Sequence, residues 1–296
     1  MSALTAERRG SLAITSAAII WGFWGVAVHV AQVSGIQAAC ISLFSIAIFA
    51  LPTLPRRIPR GWAMWWPLLA TGVTDAANAL LYFEALHRGP VPIAVLSHYL
   101  APVLVALLSP LMLRQRPSLR VILALPIALV GLGFLLGEEV LHLGAGAITG
   151  ALGAASAVFY ALQVLIQKRS GHVLTPAELI VWHAFVSGFL LLPFALQAPA
   201  PALGGAAILI GSAAVGGAFA GSVFLWGLRH VNAAKAGVLT YIEPMVGVAA
   251  GALILGHGVP AWAPLGGGLI LAAGLWVLRE KPAGDGATPA PPPAPR

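Results

Sequence analysis

The chain has 296 residues, of which 59% are hydrophobic and 8% charged, and its mean hydropathy is +0.92. A soluble domain carries about 25% charged residues, so this chain has too few to cover the surface of a water-soluble globule. That excludes a cytosolic enzyme, a disordered chain and a nucleic-acid binder, and it predicts a polytopic membrane protein. The net charge of +7 comes from short basic clusters between apolar runs, a pattern of membrane topology rather than of a nucleic-acid-binding face.

Arg8 and Arg9 precede an apolar stretch over residues 11–33. It is longer than a signal-peptide core of about 7–15 residues and holds Trp21 and Trp24, so it reads as a retained first span. A helix needs about 20 apolar residues to cross the hydrocarbon. Cutting at charges, prolines and glycines gives ten such segments: 11–33, 36–54, 62–86, 91–113, 118–137, 145–167, 176–196, 205–228, 233–255 and 260–279. The segment 1–10 is then a cytoplasmic N-terminus. The Pro-, Ala- and Gly-rich tail 281–296 cannot bury a core and reads as disordered. The single cysteine, Cys40, has no intrachain partner and reads as a small packing residue.

Charge distribution tests this count independently. With both termini in the cytoplasm, every Lys and Arg except Arg88 falls on an inner segment or inner helix end. The clusters are Arg8/Arg9, Arg56/Arg57/Arg60, Arg114/Arg116/Arg120, Lys168/Arg169, Arg229/Lys235 and Arg279/Lys281/Arg296. The acidic pair Glu138/Glu139 falls outside, as the positive-inside rule allows.

Shifting the chain by 142 positions lays Leu86–Leu113 on Leu228–Leu255 without a gap. Tyr99 then meets Tyr241, and Pro102 meets Pro244, so both halves carry Tyr-x-x-Pro in mid-span. Five spans per half is an odd number, so the second half enters from the opposite side. The expected fold is all-α, ten transmembrane helices in two inverted five-helix repeats, 11–142 and 143–280. That architecture places a substrate near the bilayer midplane between the halves.

These residues carry a resemblance. Trp21-Gly22, Tyr82-Phe83-Glu84-Ala85-Leu86, Ala101-Pro102-Val103, Glu243-Pro244-Met245 and Gly266-Gly267-Gly268, in this order and spacing, resemble the EamA branch of the drug/metabolite transporter superfamily over residues 11–279. The resemblance implies ten helices and transport of small metabolites, often export of amino acids or related compounds. Relatives often carry an Arg near the start of the second span, where this chain has Gln37 and Ser42.

Titratable side chains inside a membrane are costly and mark function by default. Asp75, Asn78 and Tyr82 share one helical face at i, i+3 and i+7. Glu243 sits in mid-span before Pro244, as a proton-coupling site or a partner for a cationic group. Pro102 and Pro244 deprive the carbonyls of His98 and Thr240 of their helical partners, marking hinges or cavity walls. His98 and His183 also lie within spans, and Trp21, Tyr99 and Tyr241 are the best candidates for aromatic cavity walls. Glu84 pairs in sequence with Arg88 at i+4, a structural role.

The chain carries no Walker A motif and no H-E-x-x-H, so neither ATP-driven pumping nor a zinc site is expected, and no cofactor is implied. The expected function is a secondary active exporter of small metabolites in the cell (inner) membrane, working by alternating access, with proton coupling left open. Its partners are a small-molecule substrate and the lipid bilayer. No nucleic acid is expected, and a homodimer stays open. Two other readings also stay open: a membrane-embedded lipid-modifying enzyme, and a passive facilitator of the same fold.

Overall fold

The computed structural model describes residues 3–57, 59–137 and 146–280. The acidic pair Glu138/Glu139 and the tail expected to be disordered lie outside the described residues. All regular structure among the described residues is helical: α1 (Ala3–Trp21), α2 (Trp24–Ala31), α3 (Gly35–Ala50), α4 (Trp62–Arg88), α5 (Val91–His98), α6 (Ala101–Met112), α7 (Leu119–Leu136), α8 (Ala147–Ser170), α9 (Pro176–Ala195), α10 (Leu203–Ser212), α11 (Gly221–His230), α12 (Ala233–Thr240), α13 (Ile242–Leu255) and α14 (Ala263–Leu278). A 3₁₀ turn follows α3, and a π-helix over Ala213–Ala220 joins α10 to α11.

Local chemistry sets several boundaries. Ser34, Ser118 and Asn232 accept from backbone N–H groups in the first turns of α3, α7 and α12. Thr175 and Glu178 form a reciprocal capping box on α9, satisfying donors that a helix end otherwise leaves bare. α1 begins at Ala3, so the residues expected to form a separate N-terminus are already helical.

Eight apolar helical segments are long enough to cross a bilayer: Thr5–Ala31, Gly35–Thr53, Val91–Met112, Leu119–Leu136, Ala147–Ser170, Pro176–Ala195, Leu203–His230 and Ala233–Leu255. Ala263–Leu278 is apolar but shorter. α4 has the length, at 27 residues, but Asp75, Glu84, His87 and Arg88 lower its hydropathy.

Three of the long segments are interrupted: at Gly22-Phe23 between α1 and α2, at Tyr99-Leu100 between α5 and α6, and at Tyr241 between α12 and α13. The last two interruptions sit just before Pro102 and Pro244, where the missing N–H was expected to open the ladder.

The helices pack in reciprocal pairs. α4 lies against α8 as α11 lies against α1; α5 and α6 flank α8 as α12 and α13 flank α1; and α3 meets α9, α7 meets α14 and α6 meets α12. Exchanging residues before and after the 138–145 segment maps each pair onto another or onto itself.

One end of the bundle is tightly closed. Ile14, Leu68, Leu165, Leu174, Leu179, Leu228 and Ala233 are at most 1% exposed there, and basic side chains fasten the helix ends above them. Lys168 Nζ donates to the carbonyls of Leu228, Arg229 and Val231 at 2.5, 3.2 and 2.8 Å. Arg229 donates to the Leu174 carbonyl and Arg169 to that of Met112. Cations on C-terminal carbonyls suit the negative end of the helix dipole. Lys235 pairs with Glu7 at 2.8 Å, joining α12 to α1, and Arg57 pairs with the buried Glu178 at 2.8 Å.

α7 and α14 touch through glycine. A Cβ added to Gly266 would collide with the backbone of Gly131 and Leu135, whereas one added to Gly268 or Gly274 meets nothing within 4 Å. Small residues let membrane helices approach this closely. Gly266→Ala should destabilise the protein by about 1–3 kcal/mol, the usual cost of overpacking. Gly268→Ala and Gly274→Ala should leave the detergent melting temperature unchanged; equal melting of all three variants would show that α7 and α14 are not in such contact.

Candidate functional site

Where the interrupted helices meet, the bundle holds a partly open cavity of about 300 Å³. Asp75 of α4, His98 of α5, Tyr99 and Pro102 at the α5–α6 break, Tyr160 of α8, His183 of α9, Phe224 of α11 and Glu243 of α13 all line it, as does Trp21 at the end of α1. Side chains from both halves of the chain converge here, and only the packing of the helices brings them together.

The polar wall is organised by hydrogen bonds. Gln163 Nε2 donates to Asp75 Oδ1 at 3.2 Å, which orients the carboxylate, while Gln163 Oε1 is buried without a protein partner. Ser156 Oγ donates to the Gly153 carbonyl at 2.7 Å, so its oxygen is the acceptor for His98 Nδ1 at 2.9 Å. His183 Nδ1 donates to the Leu179 carbonyl at 2.7 Å. Glu243 lies within reach of the Tyr99 hydroxyl, and Tyr160 is within electrostatic reach of both Glu243 and Asp75.

The aromatic wall is equally specific. Trp21 packs on Phe224 with ring centroids 5.0 Å apart, and Trp21 Nε1 donates to the Gly216 carbonyl at 2.7 Å. Gly216 lies in the π-helix, whose wider i→i+5 turn disturbs the normal ladder. His98 is surrounded by Tyr82, Tyr160 and Tyr99 at centroid distances of 4.5, 5.5 and 5.7 Å.

The two Tyr-x-x-Pro breaks lock together. Tyr241 is fully buried, and its hydroxyl donates to the Tyr99 carbonyl at 2.8 Å, with the rings 5.8 Å apart. The break at Tyr99 frees that carbonyl from the helical ladder, and Tyr241 satisfies it.

The chain matches the EamA-like transporter family over residues 8–137 and again over 148–279. It belongs to that family, and so to the drug/metabolite transporter superfamily. It is also similar to an uncharacterized transporter of Archaeoglobus fulgidus (strain ATCC 49558 / DSM 4304 / JCM 9628 / NBRC 100126 / VC-16), with 29% identity over 275 residues covering 92% of this chain and 97% of the relative. A solved crystal structure superposes with a TM-score of 0.76, covering 90% of this chain and 96% of its own, at 19% identity. That likeness shows the fold. This EamA-family chain is therefore a multi-pass membrane protein of a transporter family.

Of the residues singled out in the sequence, Asp75, Glu243, His98, His183, Trp21, Tyr99 and Pro102 line the cavity. Asn78 and Tyr82 do not. Asn78 has its carbonyl oxygen buried without a partner, and Tyr82 stacks on His98. Tyr241 and Pro244 stand behind the wall rather than in it. Glu84 pairs with Arg88 at 2.5 Å, away from the cavity. The sequence reading passed over Gln163 and Gln167. With Tyr160 they follow an i, i+3, i+7 spacing, the same as Asp75, Asn78 and Tyr82, and that polar stripe in an apolar span was the available signal.

Removing the hydroxyl in Tyr241→Phe leaves the Tyr99 carbonyl buried without its donor. The expected cost is about 1–3 kcal/mol, read as a lower melting temperature, with Tyr82→Phe as the control that does not move it. Equal melting of both variants would mean that the Tyr241–Tyr99 bond holds nothing in place.

Proposed function

We propose that this EamA-family protein is a secondary active transporter of small metabolites, with ten membrane spans in two inverted five-helix repeats and both termini in the cytoplasm. Supporting the count, α4 and α14 complete five helical spans on each side of the 138–145 segment, and the family match falls in two stretches of similar length. The reciprocal packing of the helices supports inversion, because each half offers the other its own set of contacts. Supporting the orientation, the closed end is the one that gathers Arg57, Lys168, Arg169, Arg229 and Lys235. In that orientation the closed, basic end faces the cytoplasm. The proposed location is the cytoplasmic membrane, with efflux as the net direction.

The single observation that carries this reading is the cavity at the two helix breaks, holding Asp75 and Glu243 in mid-membrane. Irregular backbone and ionisable groups are tolerated at that depth where they line a wet cavity. Alternating access would break the basic-end pairs Lys235–Glu7 and Arg57–Glu178 so that this end can open. Glu243 is the proposed coupling group, exchanging a proton when the cavity changes sides. An enzymatic reading has no support from a nucleophile–base pair in the cavity. A passive facilitator differs from this proposal only in lacking coupling.

The test is transport in proteoliposomes under an imposed pH gradient. The gradient should drive substrate accumulation by the unaltered protein. Glu243→Gln should abolish gradient-driven accumulation at least tenfold while the protein remains folded. Retained accumulation in Glu243→Gln would remove its coupling role, and equilibration without accumulation by the unaltered protein would make it a facilitator.

A further inference from the structure

The chemistry of the cavity wall narrows the ligand further, and this step rests on the transport reading above. The lining holds two carboxylates, Asp75 and Glu243, and among the described residues it holds no Lys or Arg. Its two imidazoles already hold partners at Nδ1, His98 with Ser156 Oγ and His183 with the Leu179 carbonyl. Gln163 Oε1, buried and without a partner, adds another acceptor. The fixed charges and the committed hydrogen bonds of this wall therefore call for a ligand that brings a positive charge and several N–H donors.

The same wall is poorly equipped for a ligand carboxylate. Interrupted transporter helices greet substrate carboxylates with the bare N–H groups of a half-helix N-terminus. In α13 the first turn already carries Glu243, so that positive end is occupied by the chain's own anion. In α6 and α13 alike, the first turn has lost an N–H to Pro102 or Pro244. A zwitterionic amino acid would place its carboxylate beside Asp75 and Glu243, with no Lys or Arg among the described lining residues to receive it.

The rest of the wall is aromatic and apolar. Trp21, Tyr99, Tyr160 and Phe224 offer π faces, which attract ammonium groups and pack against flat apolar bodies. We infer that the central cavity is a site for organic ammonium ions, amines with an aromatic or alkyl body and no carboxylate, and that it discriminates against the zwitterionic amino acids the family resemblance suggests. Asp75, oriented by Gln163, receives the ammonium, while Glu243 remains for the proton.

The probes are phenethylamine, phenylalanine and 3-phenylpropionate, which share one ring and differ in their charged groups. Binding to the purified full-length protein is read by calorimetry and by the fluorescence of Trp21 against a Trp21→Phe control. Phenethylamine should bind at least tenfold more tightly than phenylalanine, and 3-phenylpropionate should not bind. Asp75→Asn should weaken phenethylamine at least tenfold, whereas Glu84→Gln, which removes a carboxylate paired with Arg88 away from the cavity, should leave amine binding unchanged. Phenylalanine binding as tightly as phenethylamine, binding of 3-phenylpropionate, or binding of none of the three would overturn the inference. Counterflow of radiolabelled phenylalanine in proteoliposomes separates the two levels. If it proceeds while phenethylamine fails to bind, transport stands and the amine assignment falls.

Discussion

A backbone group in the middle of a bilayer has no water to turn to, so every break in a helix must be repaired from within the protein. The structure depends on how two such breaks are repaired. Pro102 and Pro244 open the ladders of neighbouring segments, and the Tyr99 carbonyl freed at the first break takes the hydroxyl of Tyr241 from the second. That one hydrogen bond ties the two halves at the level of the cavity. The cavity lies beside these breaks, with Tyr99 and Pro102 in its wall.

Charge is distributed by the same economy. At the basic end, lysine and arginine side chains are committed to helix-end carbonyls and to Glu7 and Glu178, so cations serve closure. At the cavity the arrangement is reversed: among the described residues no Lys or Arg lines it beside Asp75 and Glu243. A group that closes the bundle can be satisfied permanently, whereas a group that binds and releases a ligand must be left unsatisfied at some point in its cycle. The uncompensated carboxylates and the bare Gln163 oxygen mark the place where the molecule leaves room for something else.

Helix existence was highly legible in the sequence because an apolar run of about 20 residues has few alternatives. The interruption at Tyr99 and Tyr241 was legible through the prolines, whose effect on the ladder is local. The break at Gly22-Phe23 and the π-helix at Ala213–Ala220 were not, since neither carries a residue that forbids α-helix. Asp75, Glu243, His98 and His183 could be picked out because charge and imidazole are rare at that depth. Gln163 was missed because a neutral amide stands out less than a charge, although it donates a hydrogen bond to Asp75. Tyr241 was expected as a cavity wall, and it stands behind that wall as a strut, because a side chain's direction at a helix break depends on which partner carbonyl is free.

The sequence by itself determined that the chain crosses a membrane many times, that its two halves are related, and that a few titratable groups sit where lipid would exclude them. These follow from composition, period and charge, which act within one segment at a time. Only the tertiary structure decided which of those groups share a cavity, and that among the described residues no Lys or Arg lines it beside Asp75 and Glu243. Those facts depend on contacts between segments far apart in the chain, as the 168 positions between Asp75 and Glu243 illustrate, and such contacts are set by how the helices pack against one another.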